Sequence, residues 1–163
     1  MEWIKKGFPY VIIILVVILI RTFIVTPVRV DGTSMYPTLK NKDIILLKKY
    51  DQNYQYGDVV ILNYMKTKLV KRVIGVPGDS IEIVDGTLYI NKKKVDDPYS
   101  NITADFSLLQ LGYTEVPEGY YFVMGDNRKA SSDSRMIGLI KKSDILGTAS
   151  FRIFPFNSFG SVK

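Results

Sequence analysis

The sequence predicts a mostly β domain standing behind one N-terminal apolar helix, and three observations carry that expectation. Residues 7–20 are apolar apart from Tyr10, and after an interruption at Arg21 and Thr22 the run resumes at residues 23–25. Beyond Pro27 the pattern changes to short alternating or apolar stretches broken by turn residues, which is how strands read. Between two of these stretches stands Asp85-Gly86, a pair suited to a two-residue type I′ hairpin because both positions need positive φ.

Taken in order, residues 1–6 form a short tail carrying Lys5 and Lys6. Residues 7–26 follow as a transmembrane anchor. A helix rising ~1.5 Å per residue over this run reaches roughly the ~30 Å of a bilayer core. Arg21 lies near its far end, where a long side chain can snorkel to the headgroups. The lysines before the run place the N-terminus in the cytoplasm and the rest of the chain outside. A cleavable leader has a similar apolar core, but the residues that follow, TPVRVDG, offer no small-x-small cleavage site.

Residues 27–163 make the extracytoplasmic domain. Strands are expected at 28–30, 44–48, 58–63, 69–74, 80–84, 87–91, 119–124 and 145–153. Residues 96–118 are polar, carry Pro98, Gly112 and Pro117 as breakers, and read as a loop-rich insertion between core strands.

Composition narrows the chemistry. The chain has no Cys and no His, which excludes disulfides, thiol catalysis, thiolate metal sites and the commonest proton shuttle. A net charge of +6 suits an anionic lipid surface or a nucleic acid on charge alone. The basic residues are scattered and no nucleic-acid motif accompanies them, so nucleic acid is not an expected partner.

A hydrolase lacking His and Cys needs paired carboxylates, an oxygen-ligated metal, or a hydroxyl nucleophile activated by an amine. The third option has residues in suitable places. Ser34 sits in DGTSMYPTL, where Gly32 permits tight backbone geometry and Pro37 restrains the chain that follows. Lys71 sits in KLVKRVIG, and strand alternation sets its side chain opposite those of Val70 and Arg72. A buried amine loses the hydration that favours its charge, so its pKa falls and the neutral amine can accept a hydroxyl proton. By themselves, a serine in a turn and a lysine on a strand are ordinarily structural and solvated.

Four stretches change that balance when read together: SMYPTL at 34–39, GDVV at 57–60, KRVIGVPGD at 71–79 and GDNRKASSDSRMIG at 125–138. In order and in company with the anchor they resemble the bacterial type I signal peptidases, of the single-span Gram-positive kind. The resemblance implies a signal-peptidase-like β fold and a serine endopeptidase that removes signal peptides from exported preproteins at the outer face of the cytoplasmic membrane. It implies Ser34 as nucleophile, Lys71 as general base, and Ser131 as the residue that orients Lys71. Asp133 and Arg135 match the family's structural acid-base pair, while Gly125, Asp126 and Arg128 match its loop-shaping residues. Gly32 falls in the oxyanion region, where some members carry a serine, so the second oxyanion donor is left to a backbone N–H at Gly32 or to water.

The scheme calls for no metal and no cofactor. By the same resemblance, substrates carry small residues at the first and third positions before the cut. An extended substrate would lie beside strands carrying Val28, Val30 and Leu69, with Met35 and Val70 among the walls; an ordinary core role for these residues is the competing reading. Signal peptides, membrane lipids and the protein-export translocase are the expected partners. Phe156 and Phe159, with Met35 and Tyr36, are expected to form an apolar surface that dips into the outer leaflet.

Two other readings compete with this one. A self-cleaving repressor of the SOS type shares a Ser-Lys dyad, but a DNA-binding domain would stand where this chain has its anchor. A catalytically inactive, tethered homologue that binds preproteins or translocase parts is the alternative from another class, and retention of both Ser34 and Lys71 argues against it.

Overall fold

The computed structural model describes residues 2–23, 25–50, 52–99 and 103–162, with the side chains of 2–6 and 18–23 excepted. Helix α1, Glu2–Phe23, has 22 residues. At ~1.5 Å per residue it is roughly 33 Å long. The side chains described in it, residues 7–17, are all exposed. Among the described residues no helix is long and apolar enough to cross a membrane. The remainder of the expected anchor, residues 18–24, lies outside the described side chains. Its far boundary is corrected: strand β1, Val25–Arg29, begins inside the expected span and pairs with β2, Ile44–Lys48, so Val25 and Thr26 belong to the sheet.

The strands that follow are β3 Val59–Tyr64, β4 Thr67–Gly75, β5 Ile81–Val84, β6 Thr87–Ile90, β7 Lys93–Val95, β8 Phe106–Ser107, β9 Tyr120–Met124, β10 Ile140–Lys141, β11 Ile145–Phe154 and β12 Gly160–Ser161. A one-turn helix α2, Ser134–Ile137, is capped by Asp133, whose side chain accepts from the Arg135 N–H. The large sheet runs β1-β2-β11-β3-β4-β9-β10, with β12 on β11, and the small sheet runs β7-β6-β5-β8. Every pairing is antiparallel. The insertion expected at 96–118 is therefore the second half of a longer excursion that begins at β5 and closes the small sheet through β8.

The large sheet is covered on both faces. Along β3, Val59 and Ile61 join an apolar cluster with Val30, Met35, Leu39, Leu47 and Val70. Val60 and Leu62 face the other way, into a cluster with Tyr54, Val73, Tyr121 and Val123. Covering both faces forces polar residues of the central strands into the interior, and Lys71 and Arg72 on β4 are only 2% and 8% exposed.

Candidate active site

The segment after β1 is pinned by its apolar residues. Met35 and Leu39 are buried in the first cluster, and Leu39 N–H donates to the Met35 carbonyl (2.8 Å). Ser34, between the exposed turn and these anchors, is half-buried. Its carbonyl accepts the Asn127 N–H (2.9 Å), and the Asn127 side-chain amide donates to the Thr33 carbonyl (3.2 Å). The loop after β9 thus grips the Ser34 segment by its backbone.

Lys71 reaches the same place by strand pairing. Its Cα partner on β3 is Val60, and on the other side Val73 pairs with Val123 and Arg72 with Met124. Carrying that register one step further sets Lys71 opposite Gly125. Directly opposed residues share a face of the sheet, so the Lys71 side chain projects from the face where Gly125 would carry a Cβ. A Cβ there would overlap Ser131 Oγ and the Ser34 carbonyl oxygen, and would lie 2.7 Å from Ser131 Cβ. The missing side chain of Gly125 is the space that lets Ser34 and Ser131 close in on the Lys71 strand.

Burial depresses the Lys71 pKa, because the amine loses more solvation as a cation than as a base. Asp133 opposes this, Arg135 reinforces it, and Asp126 opposes it again. Among the described residues no carboxylate forms an ion pair with Lys71. The nearby carboxylates are already held elsewhere. Asp133 pairs with Arg135 (Nε to Oδ1 2.8 Å) and accepts the Gly125 N–H at Oδ2 (2.9 Å). Asp126 takes two hydrogen bonds from Arg72, Nε to Oδ1 at 2.8 Å and Nη2 to Oδ2 at 2.7 Å. Removing one partner of such a buried pair typically costs about 3–5 kcal/mol, since the other charge is stranded.

Around this frame the supporting residues take definite places. Arg128 donates to the Gly125 carbonyl (3.0 Å) and pairs with Asp97 (2.7 Å). Thr38 Oγ1 donates to Asp126 and meets the Tyr99 hydroxyl at 2.8 Å. The Tyr99 ring lies against the guanidinium groups of Arg72 and Arg128. Arg152 donates to the Thr38 carbonyl (3.0 Å) and to Asp43 (3.1 Å). Ser131 is buried, and its Oγ has no hydrogen-bond partner among the described residues.

Three expectations change. The Gly32 N–H, offered as a second oxyanion donor, donates to Asn41 Oδ1 at 3.2 Å. Leu69 separates from the other pocket candidates: Val30, Met35 and Val70 share one cluster with Val28 against it, while Leu69 packs on the cluster of the opposite face, as neighbouring strand residues must. Met35 is 1% exposed and belongs to the core, which removes it from any lipid-facing surface. Sequence reasoning assigned no role to Asn127, Thr38, Tyr99 or Arg152, and placed Arg72 only as the neighbour of Lys71 on its strand. Asn127 and Arg72 lie inside stretches that carried the resemblance; Thr38 does too, but only the fold reveals its partners.

The chain matches the family described as Signal peptidase, peptidase S26 over residues 1–154. Signal peptidase I S of Bacillus subtilis (strain 168) is 43% identical over 174 aligned residues, covering 96% of this chain and 90% of that protein. Signal peptidase I T of the same organism is 42% identical, covering 100% and 90%. A crystal structure of a signal peptidase I from Enterococcus faecalis V583 matches with a TM-score of 0.56 and 35% identity, covering 59% of this chain and 96% of that one. Near-complete sequence coverage and a shared β architecture together place the chain: it belongs to the signal peptidase family, peptidase S26.

Proposed function

We propose that this chain is a serine endopeptidase that cleaves signal peptides from exported preproteins, with Ser34 as nucleophile and Lys71 as general base. The observation that carries the reading is a buried, pKa-depressed lysine on the face of β4 where Gly125 makes room for Ser34 and Ser131. Neutral Lys71 takes the Ser34 proton, and Ser34 Oγ attacks the scissile carbonyl carbon. The oxyanion that forms accepts from the Ser34 N–H. As the intermediate collapses, the carbon–nitrogen bond breaks and Lys71 gives its proton to the leaving amine. Water, deprotonated in turn by Lys71, attacks the acyl carbon; the ester bond to Ser34 Oγ breaks, Lys71 returns the proton to Ser34, and the acid product leaves. Ser131 packs at Gly125 on the Lys71 face and is placed to steer the amine by packing, its Oγ making no hydrogen bond among the described residues; the Asp133–Arg135 and Asp126–Arg72 pairs hold the surrounding loop. Incubating the purified chain with a synthetic preprotein and measuring product masses tests the reading; an intact preprotein, or a cut away from the signal peptide's end, would count against it.

The pH dependence follows from the sign of the shift. Cleavage needs the neutral amine, so the acidic limb of kcat/KM reports the Lys71 pKa. Because that value is lowered, activity rises from mildly acidic pH and levels below the pH at which an ordinary lysine, ~10.4, would deprotonate. A profile already flat from about pH 6, as a carboxylate base would give, refutes lysine.

The inactive, tethered alternative gains no support from the relatives. The placement proposed is a single-pass signal anchor with the N-terminus cytoplasmic, a tail at 1–6 and the catalytic domain outside. Its support is the apolar run, the Lys5 and Lys6 flank, and a helix whose described side chains all lack protein cover. Such a placement puts the export translocase and lipid beside the site. Phe156 and Phe159 are 80% and 60% exposed and Tyr36 is 53% exposed, the aromatic composition that favours a bilayer interface. A chain starting at Val25 should therefore float with lipid vesicles, and Phe156→Ser with Phe159→Ser should weaken flotation while the domain stays folded, with a small loss of Tm from the ring contacts to Phe154 and Phe151. Absence of flotation by the truncated chain would assign all membrane contact to α1.

A further inference from the structure

Resting on the dyad reading above, we infer that a cavity beside Ser131 is the subsite for the first residues after the scissile bond, that it admits a large side chain, and that it favours an acidic one. The cavity has a volume of about 280 Å³ and is lined in part by Phe106, Arg128, Lys129, Ser131, Arg135 and Met136. That is just under the roughly 300 Å³ at which pockets for whole small-molecule ligands begin, so it suits one or two side chains.

Chemistry places the leaving segment there. The group that protonates the departing nitrogen must come within hydrogen-bond reach of it, so the first residue after the cut starts beside the Lys71 amine. Lys71 projects from the face where Ser131 packs on Gly125. Ser131 is 8% exposed, has an unpartnered Oγ, and forms part of the cavity wall. The apolar cluster of Val30, Met35 and Val70, with Val28 against it, belongs to the other face of β4. The segment before the cut and the segment after it thus have separate surfaces.

The wall also sets the preference. Phe106 and Met136 supply apolar surface, and Met136 is 75% exposed at the opening. Three cations line the cavity against one carboxylate, Asp105, which accepts the Asp85 N–H (2.9 Å). Arg128 and Arg135 are neutralised by Asp97 and Asp133. Lys129 is exposed, and no ion pair engages it among the described residues. The charge open to a substrate is therefore the Lys129 ammonium.

The test uses the full chain and four peptides identical up to the cut, with Ala, Phe, Glu or Lys at the first two positions after it. The wild type should cleave all four and prefer Glu over Lys by about 3- to 10-fold in kcat/KM at low salt, with the preference shrinking as salt screens an exposed charge. Lys129→Glu should reverse that order. Met136→Trp, which fills the opening, should lower the Phe peptide about tenfold relative to the Ala peptide, the scale of one misfitting apolar group in a pocket. Peptide ratios identical in the wild type and both variants, with cleavage proceeding, overturn the subsite. A wild type that cleaves none of the four overturns the dyad reading itself.

Discussion

Ser34→Ala and Lys71→Ala are each expected to lower preprotein cleavage by on the order of 10⁴-fold or more, because nucleophile and base act as one unit. For the same reason the double variant should be no slower than either single one. Lys71→Arg should be equally inactive, since a guanidinium stays protonated at any usable pH. Folding should survive these changes. The Ser34 side chain is half-buried and small. Lys71 brings its own cost to the fold, because its pKa is lower folded than unfolded. That penalty is complete below the folded pKa, shrinks as pH rises, and vanishes above the unfolded value. Lys71→Met, which keeps an apolar stem, should therefore raise Tm at neutral pH, with the gain narrowing toward alkaline pH. Thermal melts beside the cleavage assay check both halves. A folded Ala variant that cleaves within tenfold of wild type would sink the mechanism.

Where a single local rule governs, the sequence was readable. The expected strand at 44–48 is β2 to the residue, and Asp85-Gly86 forms the tight turn its composition announces, with φ of 46° and 68°. Two further turns of the same sign, at Met65-Lys66 and Asn91-Lys92, escaped notice. Neither pair contains glycine; their left-handed backbone is held by the strand pairs on either side, β3 with β4 and β6 with β7. Strands of two or three residues, β7, β8, β10 and β12, are too short to show a period. The site divides the same way. Ser34 and Lys71 were nameable through the resemblance, but the approach of their segments depends on β4 pairing with β9 and on the Asn127 loop closing over Thr33 and Ser34, contacts far apart in sequence. The fate of the Gly32 N–H and the burial of Met35 depend on such contacts too.

Gly125→Ala is the second large effect expected, and it follows from space rather than torsion. Gly125 is not among the glycines with positive φ, so alanine fits its backbone. What alanine does not fit is the gap to Ser131 Oγ and to the Ser34 carbonyl oxygen. A serine hydroxyl can rotate away, but the Ser34 carbonyl belongs to a backbone pinned by Asn127 and by buried Met35. Gly125 is itself held by its N–H to Asp133 and its carbonyl to Arg128. The added methyl must push the Ser34 segment away from Lys71, at an overpacking cost of about 1–3 kcal/mol. Misplacing a reacting group by ~1 Å costs on the order of 10²-fold in rate. The variant should therefore keep its fold, lose a few degrees of Tm, and lose about 10²-fold or more in kcat. Gly75→Ala is the control: its Cβ would meet the tip of the Ile81 side chain at 2.8 Å, away from the site. That change should lower Tm while leaving kcat nearly unchanged. Adding Ser131→Ala to Gly125→Ala should not restore the rate, because the Ser34 carbonyl still blocks the methyl. Wild-type kcat in Gly125→Ala, measured well below its Tm, would mean that the Ser34 segment is not held against this strand.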